Sequence, residues 1–231
     1  MEGIELGNFF RRCGYLKDPL ITGSIIFPIQ VRSEVLPEPT KTLLDKFGKD
    51  NLPQKTYLGG GTAIALHIGH RKSVDLDWFT AQEFDEKMWQ MKWEADFGFT
   101  LRGRDWQTLT GEIESVKTAL YFYKYPLIDE TATHNNLEIA GLKDLAVMKL
   151  DAVISRGTKR DFVDLYFLTK EFGVNLMLDF YDQKYGKLEE RELLLRKALV
   201  YFKEADEDEM PNMLIPIDWK KIKDFFVKTY V

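Results

Sequence analysis

Three successive glycines, Gly59, Gly60 and Gly61, stand between a short apolar stretch ending at Tyr57-Leu58 and an apolar run at residues 63–68. Nothing else in the chain narrows its fold as much. Glycine adopts backbone angles that other residues avoid, and it lets another group come close to the main chain. The run after the glycines reads as a short buried helix stopped by Gly69. A turn that opens straight into a helix presents backbone N–H groups to an anion. Gly60 and Gly61 would then leave room for a triphosphate, with Thr62 capping the helix or binding phosphate. A tight turn with an ordinary N-cap is the commoner use of such a stretch, and these residues alone fit both.

Residues 73–79 read as the next strand. Strict alternation puts Val74, Leu76 and Trp78 on one face and Ser73, Asp75, Asp77 and Phe79 on the other. Asp75 and Asp77 thus project to the same side, a spacing suited to joint coordination of a divalent cation. Hard ions such as Mg²⁺ take one or two carboxylates plus substrate phosphates and waters. By itself Asp-Leu-Asp is also what a solvated strand edge looks like. The order strand, Gly-Gly turn, helix, Asp-x-Asp strand is far more specific than either piece. Arg71 lies in the loop between them, where it either meets phosphate or pairs with Asp75 or a surface acid.

A third segment adds cations. Lys149 lies inside an apolar helix expected over Leu142–Ser155, and Arg156 follows two turns later on the same face, so both can point at one site. After Gly157 come Thr158, Lys159 and Arg160, then Asp161 and Asp164 at the start of a helix expected over residues 162–172. A structural account of the two acids is available: Asp161 as N-cap and Asp164 favoured in the first turn by the helix dipole.

The rest of the chain frames these segments. Pro19, Pro28, Pro37 and Pro39 break residues 1–38 into an irregular extension with one short strand near residues 25–31. A helix with Thr40 as N-cap should follow, carrying Leu43, Leu44 and Phe47. An amphipathic helix is expected over residues 84–97, then strands over 99–104, 111–116, 117–125 and 137–140. Further helices are expected over 176–185, 190–202 and 219–227, with an acidic loop at 204–209. The organisation is α+β: a mixed sheet with flanking helices in residues 39–140, then a helical part, 141–231, that completes the site.

Composition removes several alternatives. With 32 basic against 37 acidic residues and a formal charge of −5, a general nucleic-acid coat is disfavoured, though a local basic pocket is compatible with this balance. Cys13 is the only cysteine, which rules out an internal disulfide and a Cys-rich zinc site. No apolar run approaches the ~18–20 residues of a membrane span, and no signal core precedes a cleavage site, so the cytoplasm is the expected compartment. His67, His70 and His134 lack metal-ligand spacing and read as packed or surface histidines. The aromatic runs at 89–93 and 121–125 read as core rather than as a stacking platform for bases.

Two long stretches resemble a known family. Residues 58–79, LGGGTAIALHIGHRKSVDLDWF, and 144–168, DLAVMKLDAVISRGTKRDFVDLYFL, are similar in order and pattern to the signatures of the AbiEii/AbiGii toxins. These belong to the DNA polymerase β-like nucleotidyltransferase superfamily. The resemblance spans roughly residues 40–228. It implies transfer of a nucleoside monophosphate from a nucleoside triphosphate to a hydroxyl on RNA, such as a tRNA end, or on protein. Mg²⁺ or Mn²⁺ would be the cofactor, and a cognate antitoxin, which could read the acidic run, a partner. By the same resemblance Gly60, Gly61 and Thr62 would hold phosphates and Asp75 and Asp77 the metal. Lys149 would contact the triphosphate, helped by Arg71, Ser73 and Arg156 around it, and Asp161 would be a late catalytic acid. One position departs from the superfamily pattern. A third carboxylate is expected on a later strand, yet residues 116–123 carry Lys117 and no acid. Asp161 then substitutes, or the acceptor is activated differently, or the protein is a non-catalytic module that binds nucleotide or a partner.

Overall fold

The structure, a computed structural model, describes residues 32–187 and 189–230. The expected N-terminal strand near 25–31 lies outside them. Helix α1, Glu38–Lys46, starts two residues earlier than expected, with Pro37 at its N-cap and Pro39 in its first turn, where a missing N–H costs nothing. Thr40 is therefore not the cap. Its hydroxyl is buried and donates to the Val74 carbonyl at 3.1 Å, fastening α1 to the segment that precedes the aspartates.

Strand β1, Tyr57–Leu58, runs through Gly59 into α2, Gly60–Ile68, which ends at Gly69 in the left-handed conformation. β2, Leu76–Thr80, alternates as expected from Leu76 onward, with Leu76 and Trp78 buried. The expected strand at 73–75 does not form, and Val74 is 47% exposed rather than facing the core. Those residues are held by other bonds: Ser73 N–H donates to the Val35 carbonyl at 3.1 Å, and Thr62 donates to the Asp75 carbonyl.

Helix α3, Glu86–Phe97, is capped by Asp85, whose side chain accepts from Met88 N–H. It buries Trp89 and Trp93 and leaves Met88 and Met91 exposed. Then come β3 (Thr100–Asp105), β4 (Thr108–Ile113), β5 (Val116–Phe122), β6 (Ala132–His134) and β7 (Leu137–Ile139). The seven strands form one mixed sheet, in the order β3-β4-β5-β2-β1-β7-β6. β2 lies parallel to β5, with Asp77 opposite Ala119 and Phe79 opposite Tyr121. β3 is one edge: largely exposed, with pairing that shifts between Leu101 and Gly103, and with Arg102 bonded to Glu112 and Arg104 to Gln90. The other edge is the three-residue β6.

After β7 the described chain is helical: α4 (Leu142–Ser155), α5 (Lys159–Phe172), α6 (Val174–Tyr185), α7 (Glu189–Ala198), α8 (Lys203–Glu207) and α9 (Trp219–Tyr230). α4 packs against α2, α5, α6 and α7. Two aromatic clusters supply much of the core. Phe47 sits 5.1 Å from Trp78 and 5.8 Å from Trp93, while Phe162 meets Phe202, Trp219 and Phe226 within 5.8 Å. Truncating such a side chain to alanine costs about 3–5 kcal/mol. The acidic run is not a plain loop. Asp206 accepts from Trp219 and Lys223, and Asp208 accepts from the Lys159 amide, so the run ties α9 and α5 together.

Candidate active site

The glycine turn does more than reverse the chain. Gly60 has φ +65°, and a Cβ there would lie 2.5 Å from an Asp77 carboxylate oxygen. A Cβ on Gly61 would lie 2.3 Å from the Arg71 guanidinium. The absent side chains thus let one carboxylate and one cation reach the first turn of α2. Thr62 is buried and does not cap the helix. Its hydroxyl bonds Ser73 Oγ at 2.8 Å and the Asp75 carbonyl, so it fixes the backbone from which Asp75 projects.

Behind the two aspartates lies a buried ion network. Asp164 accepts from Arg71 through two nitrogens, at 2.6 and 2.9 Å, and from His70 Nε2 at 2.7 Å, while Lys149 Nζ stands 3.0 Å away. Arg71 therefore pairs with an interior acid rather than with Asp75 or the surface. Asp161 accepts from Lys149 at 2.9 Å, from Arg156 at 2.8 and 2.9 Å, and from Thr158. It is not the N-cap of α5. Thr158 is, and Asp161 closes the capping box three residues in. Burial would raise both carboxyls, but their cations prevail. Arg71 and Lys149 hold Asp164 well below the ordinary carboxylate range, and Arg156 and Lys149 do the same for Asp161. Burial lowers His70, which leaves it a neutral donor to Asp164.

Asp77 behaves oppositely. Burial and then the neighbouring Asp75 charge raise its carboxyl above the usual range, against the pull of Lys149, Arg156 and Arg160. Asp75 has a weak partner, Arg160 at 3.8 Å. A half-buried carboxylate pair with too little positive charge is what a cation would complete. Among the described residues no group of three or more His, Cys, Asp or Glu is placed to hold a metal unaided.

Two clefts meet at this pair. The polar one, about 240 Å³, is walled by Gly61, Thr62, Arg71, Ser73, Asp75, Asp77, Lys149, Arg156, Thr158, Arg160 and Asp161. The other, about 360 Å³, runs between the sheet and α4. Phe79, Tyr121 and Tyr123 form its sheet wall, and Met148, Lys149, Ala152 and Arg156 form its helix wall. Gly61, Asp77, Lys149 and Arg156 border both.

All ten residues singled out from the sequence border one or both clefts. Sequence reasoning missed two things. Tyr121 and Tyr123 were expected in the core, yet they are half-exposed and line the aromatic cleft, with Phe79 5.4 Å from Tyr121 and 5.8 Å from Tyr123. Alternation fixed their face but not whether anything covers it. The hub role of Asp164 and His70 carried no local signal, since they lie 94 residues apart. Of the run at 89–93, Trp89 and Trp93 do hold as core, with Trp93 fully buried.

The chain matches the family model described as nucleotidyl transferase AbiEii toxin, type IV TA system, over residues 42–121 and 113–229. An uncharacterised protein of Aquifex aeolicus (strain VF5) is 34% identical over 192 residues, which is 76% of this chain and 87% of that protein. Among solved structures, MenT4, a nucleotidyltransferase toxin of Mycobacterium tuberculosis H37Rv, superposes with a TM-score of 0.55 at 15% identity, covering 82% of this chain and 81% of its own. A candidate nucleotidyltransferase from H. pylori gives 0.51 at 17% identity, over 84% of this chain and 94% of its own. At these identities the structural likeness shows the fold, which is the mixed sheet with flanking helices expected from the sequence.

Proposed function

Since the chain belongs to the AbiEii nucleotidyltransferase toxin family and is an enzyme of that class, we propose that it moves a nucleoside monophosphate from a nucleoside triphosphate to a hydroxyl acceptor at Asp75 and Asp77. The observation that carries this reading is the convergence of these two carboxylates where a polar cleft rich in cations meets an aromatic one. The polar cleft suits a triphosphate. The aromatic cleft suits a nucleoside, whose base can stack on Phe79 and Tyr121.

Asp75 and Asp77 fit a hard divalent cation, Mg²⁺ or Mn²⁺, because two carboxylates leave the remaining positions to phosphate oxygens and water. Bound there, such an ion would neutralise phosphate charge and polarise the α-phosphorus. The protein does the rest. Lys149 is pinned by Asp161 and Asp164, and Arg156 by Asp161, so two cations face the phosphates with little freedom left to lose. Asp161 accordingly acts by positioning, since so acidic a carboxyl takes no proton near neutral pH. The acceptor oxygen bonds to the α-phosphorus, the bond to the bridging oxygen of pyrophosphate breaks, and the hydroxyl proton goes to water. α4 and α5 bring Lys149, Arg156 and Asp161 against aspartates carried by the sheet region. On that basis we read residues 141–231 as completing a site founded on 39–140. Among the described residues no helix is long and apolar enough to cross a membrane. A cognate antitoxin is a further expected partner.

The test is label transfer. The protein is incubated with each α-labelled triphosphate, total RNA and Mg²⁺, with Asp77→Ala in parallel. Label in a macromolecule, dependent on Mg²⁺ and lost in Asp77→Ala, supports the reading. Absence of transfer from all four triphosphates, to RNA and to protein alike, overturns it.

A further inference from the structure

The far end of the aromatic cleft is built differently from the end at the aspartates. β2 and β5 run parallel with Asp77 opposite Ala119, so Tyr121 and Tyr123 come two and four residues further along. At about 3.3 Å per residue, that places them roughly 7 and 13 Å beyond the level of Asp77. Tyr123 extends the pairing, its N–H donating to the Thr80 carbonyl at 2.7 Å. Tyr123, Asp151 and Tyr185 line this cleft, and none of them borders the polar one. A nucleoside with its phosphates at Asp75 and Asp77 would direct the outer edge of its base toward these three residues.

A bar of phenols crosses that end. The hydroxyl of Tyr185, the last residue of α6, is hydrogen-bonded to the Tyr123 hydroxyl on the sheet wall. One turn earlier on α6, the Tyr181 hydroxyl donates to Asp151 on α4 at 3.2 Å. The Tyr181 and Tyr185 rings meet edge to face 4.6 Å apart, so together they join the sheet wall to the helix wall. Tyr125 adds a second edge-on contact to Tyr185, at 4.7 Å. Buried Lys184 anchors the bar. Its Nζ donates to Asp144 at 2.6 Å and to the Pro126 carbonyl at 2.8 Å, and lies 5.3 Å from the centre of the Tyr123 ring. Burial raises both bridging phenols above the usual range, so their hydroxyls stay protonated near neutral pH. Tyr181 does not line the cleft, which leaves Tyr185 as the face that α6 presents to a ligand. A wall tied at so many points cannot yield to extra atoms without shifting its neighbours, and a wall of that kind discriminates by size.

We propose that Tyr185 is a specificity-determining residue, which stands across the base end of the nucleoside cleft and excludes triphosphates with bulk on the outer edge of the base. The proposal rests on the nucleotidyl-transfer reading for the orientation of the nucleoside, but its test reads binding, not transfer. Each of the four triphosphates is titrated into the full chain with Mg²⁺ by calorimetry, beside a derivative benzylated on its pairing edge (N6-benzyl-ATP, N2-benzyl-GTP, N4-benzyl-CTP, N3-benzyl-UTP). Wild-type protein should bind at least one parent and hold its benzyl derivative about tenfold or more weaker, the scale of overpacking against a fixed wall. Tyr185→Ala should bring the two affinities together, and Tyr185→Leu, which keeps more of the packing, should narrow the gap in the same direction. Tyr185→Phe keeps the ring and should keep the discrimination. Tyr181→Ala removes the neighbour that does not line the cleft, so it should cost stability and leave the gap in place. Circular dichroism checks that each variant is folded. A benzyl derivative bound as well as its parent by wild type, an unchanged gap in folded Tyr185→Ala or Tyr185→Leu, or an equal closing of the gap in Tyr181→Ala overturns the assignment. Wild-type protein that binds none of the four parents overturns it together with the nucleoside reading of the cleft. A gap that closes in Tyr185→Ala, in a protein that transfers no nucleotide, leaves the bar standing and removes the transfer reading. Transfer with the gap unchanged in the Tyr185 variants does the reverse.

Discussion

Asp77 is half-buried and Asp164 fully buried, and they meet opposite electrostatics. Asp77 has a like-charged neighbour and a carboxyl raised by burial and by Asp75, so its ionisation opposes folding. A raised acid contributes stability at low pH that is lost as pH climbs through its folded value. Asp77→Asn should therefore raise the melting temperature of the metal-free protein at pH 7–8, by roughly 2–4 °C if the gain is about 1 kcal/mol, while abolishing label transfer. Calorimetry at pH 5 and pH 8 checks this, the gain being larger at pH 8. Asp164 is the reverse case. Its carboxyl is held down by Arg71 and Lys149, so its contribution is complete above the unfolded-state value of about 3.9 and lost as pH falls below it. Asp164→Asn leaves Arg71 and Lys149 short of a buried counter-charge and should cost about 3–5 kcal/mol in denaturant unfolding. None of this can be read from Asp-Leu-Asp or from Asp161-Phe-Val-Asp164 alone. The partners of Arg71 are set by how α5 lies against α2.

The elements built from local chemistry were legible in the chain. α4 occupies Leu142–Ser155 as expected, and the Gly59–Gly61 turn leads into α2 at Gly60, because apolar periodicity and glycine act within a few residues. The start of β2 was not legible, since Ser73 N–H donates to the Val35 carbonyl and the Asp75 carbonyl accepts from the Thr62 hydroxyl, instead of either pairing with a neighbouring strand. The cap of α5 was missed by three residues because Thr158 and Asp161 satisfy each other, and either can look like the cap from sequence. The turn also makes a prediction at this scale. Gly60→Ala combines a left-handed backbone with a Cβ 2.5 Å from the Asp77 carboxylate. It should destabilise the protein by about 1–2 kcal/mol from the backbone alone and lower kcat at least tenfold by displacing Asp77. Urea unfolding alongside steady-state transfer measures the two separately.

For the molecule as a whole, the clefts that meet at Asp75 and Asp77 imply that a ligand filling them stabilises the fold. A triphosphate with Mg²⁺ at 100 times its Kd adds about 2.7 kcal/mol, which should raise the melting temperature by roughly 5–11 °C in a domain of this size. Asp77→Ala should lose that increment, and a scan with each triphosphate would rank the bases. Charge balance and the single cysteine were informative at this scale, whereas the placement of clefts was not. Clefts arise from the packing of α4 and α5 on the sheet, among residues far apart in sequence. One consequence of the sheet's outline concerns behaviour in crowded solution. A long flat edge recruits strands from other copies, but here one edge carries Arg102, Arg104 and a break in pairing, and the other is three residues long. Among the described residues, neither margin is a long, regularly paired run of backbone, and charge, a break in pairing and shortness are the features that discourage strand addition from another copy.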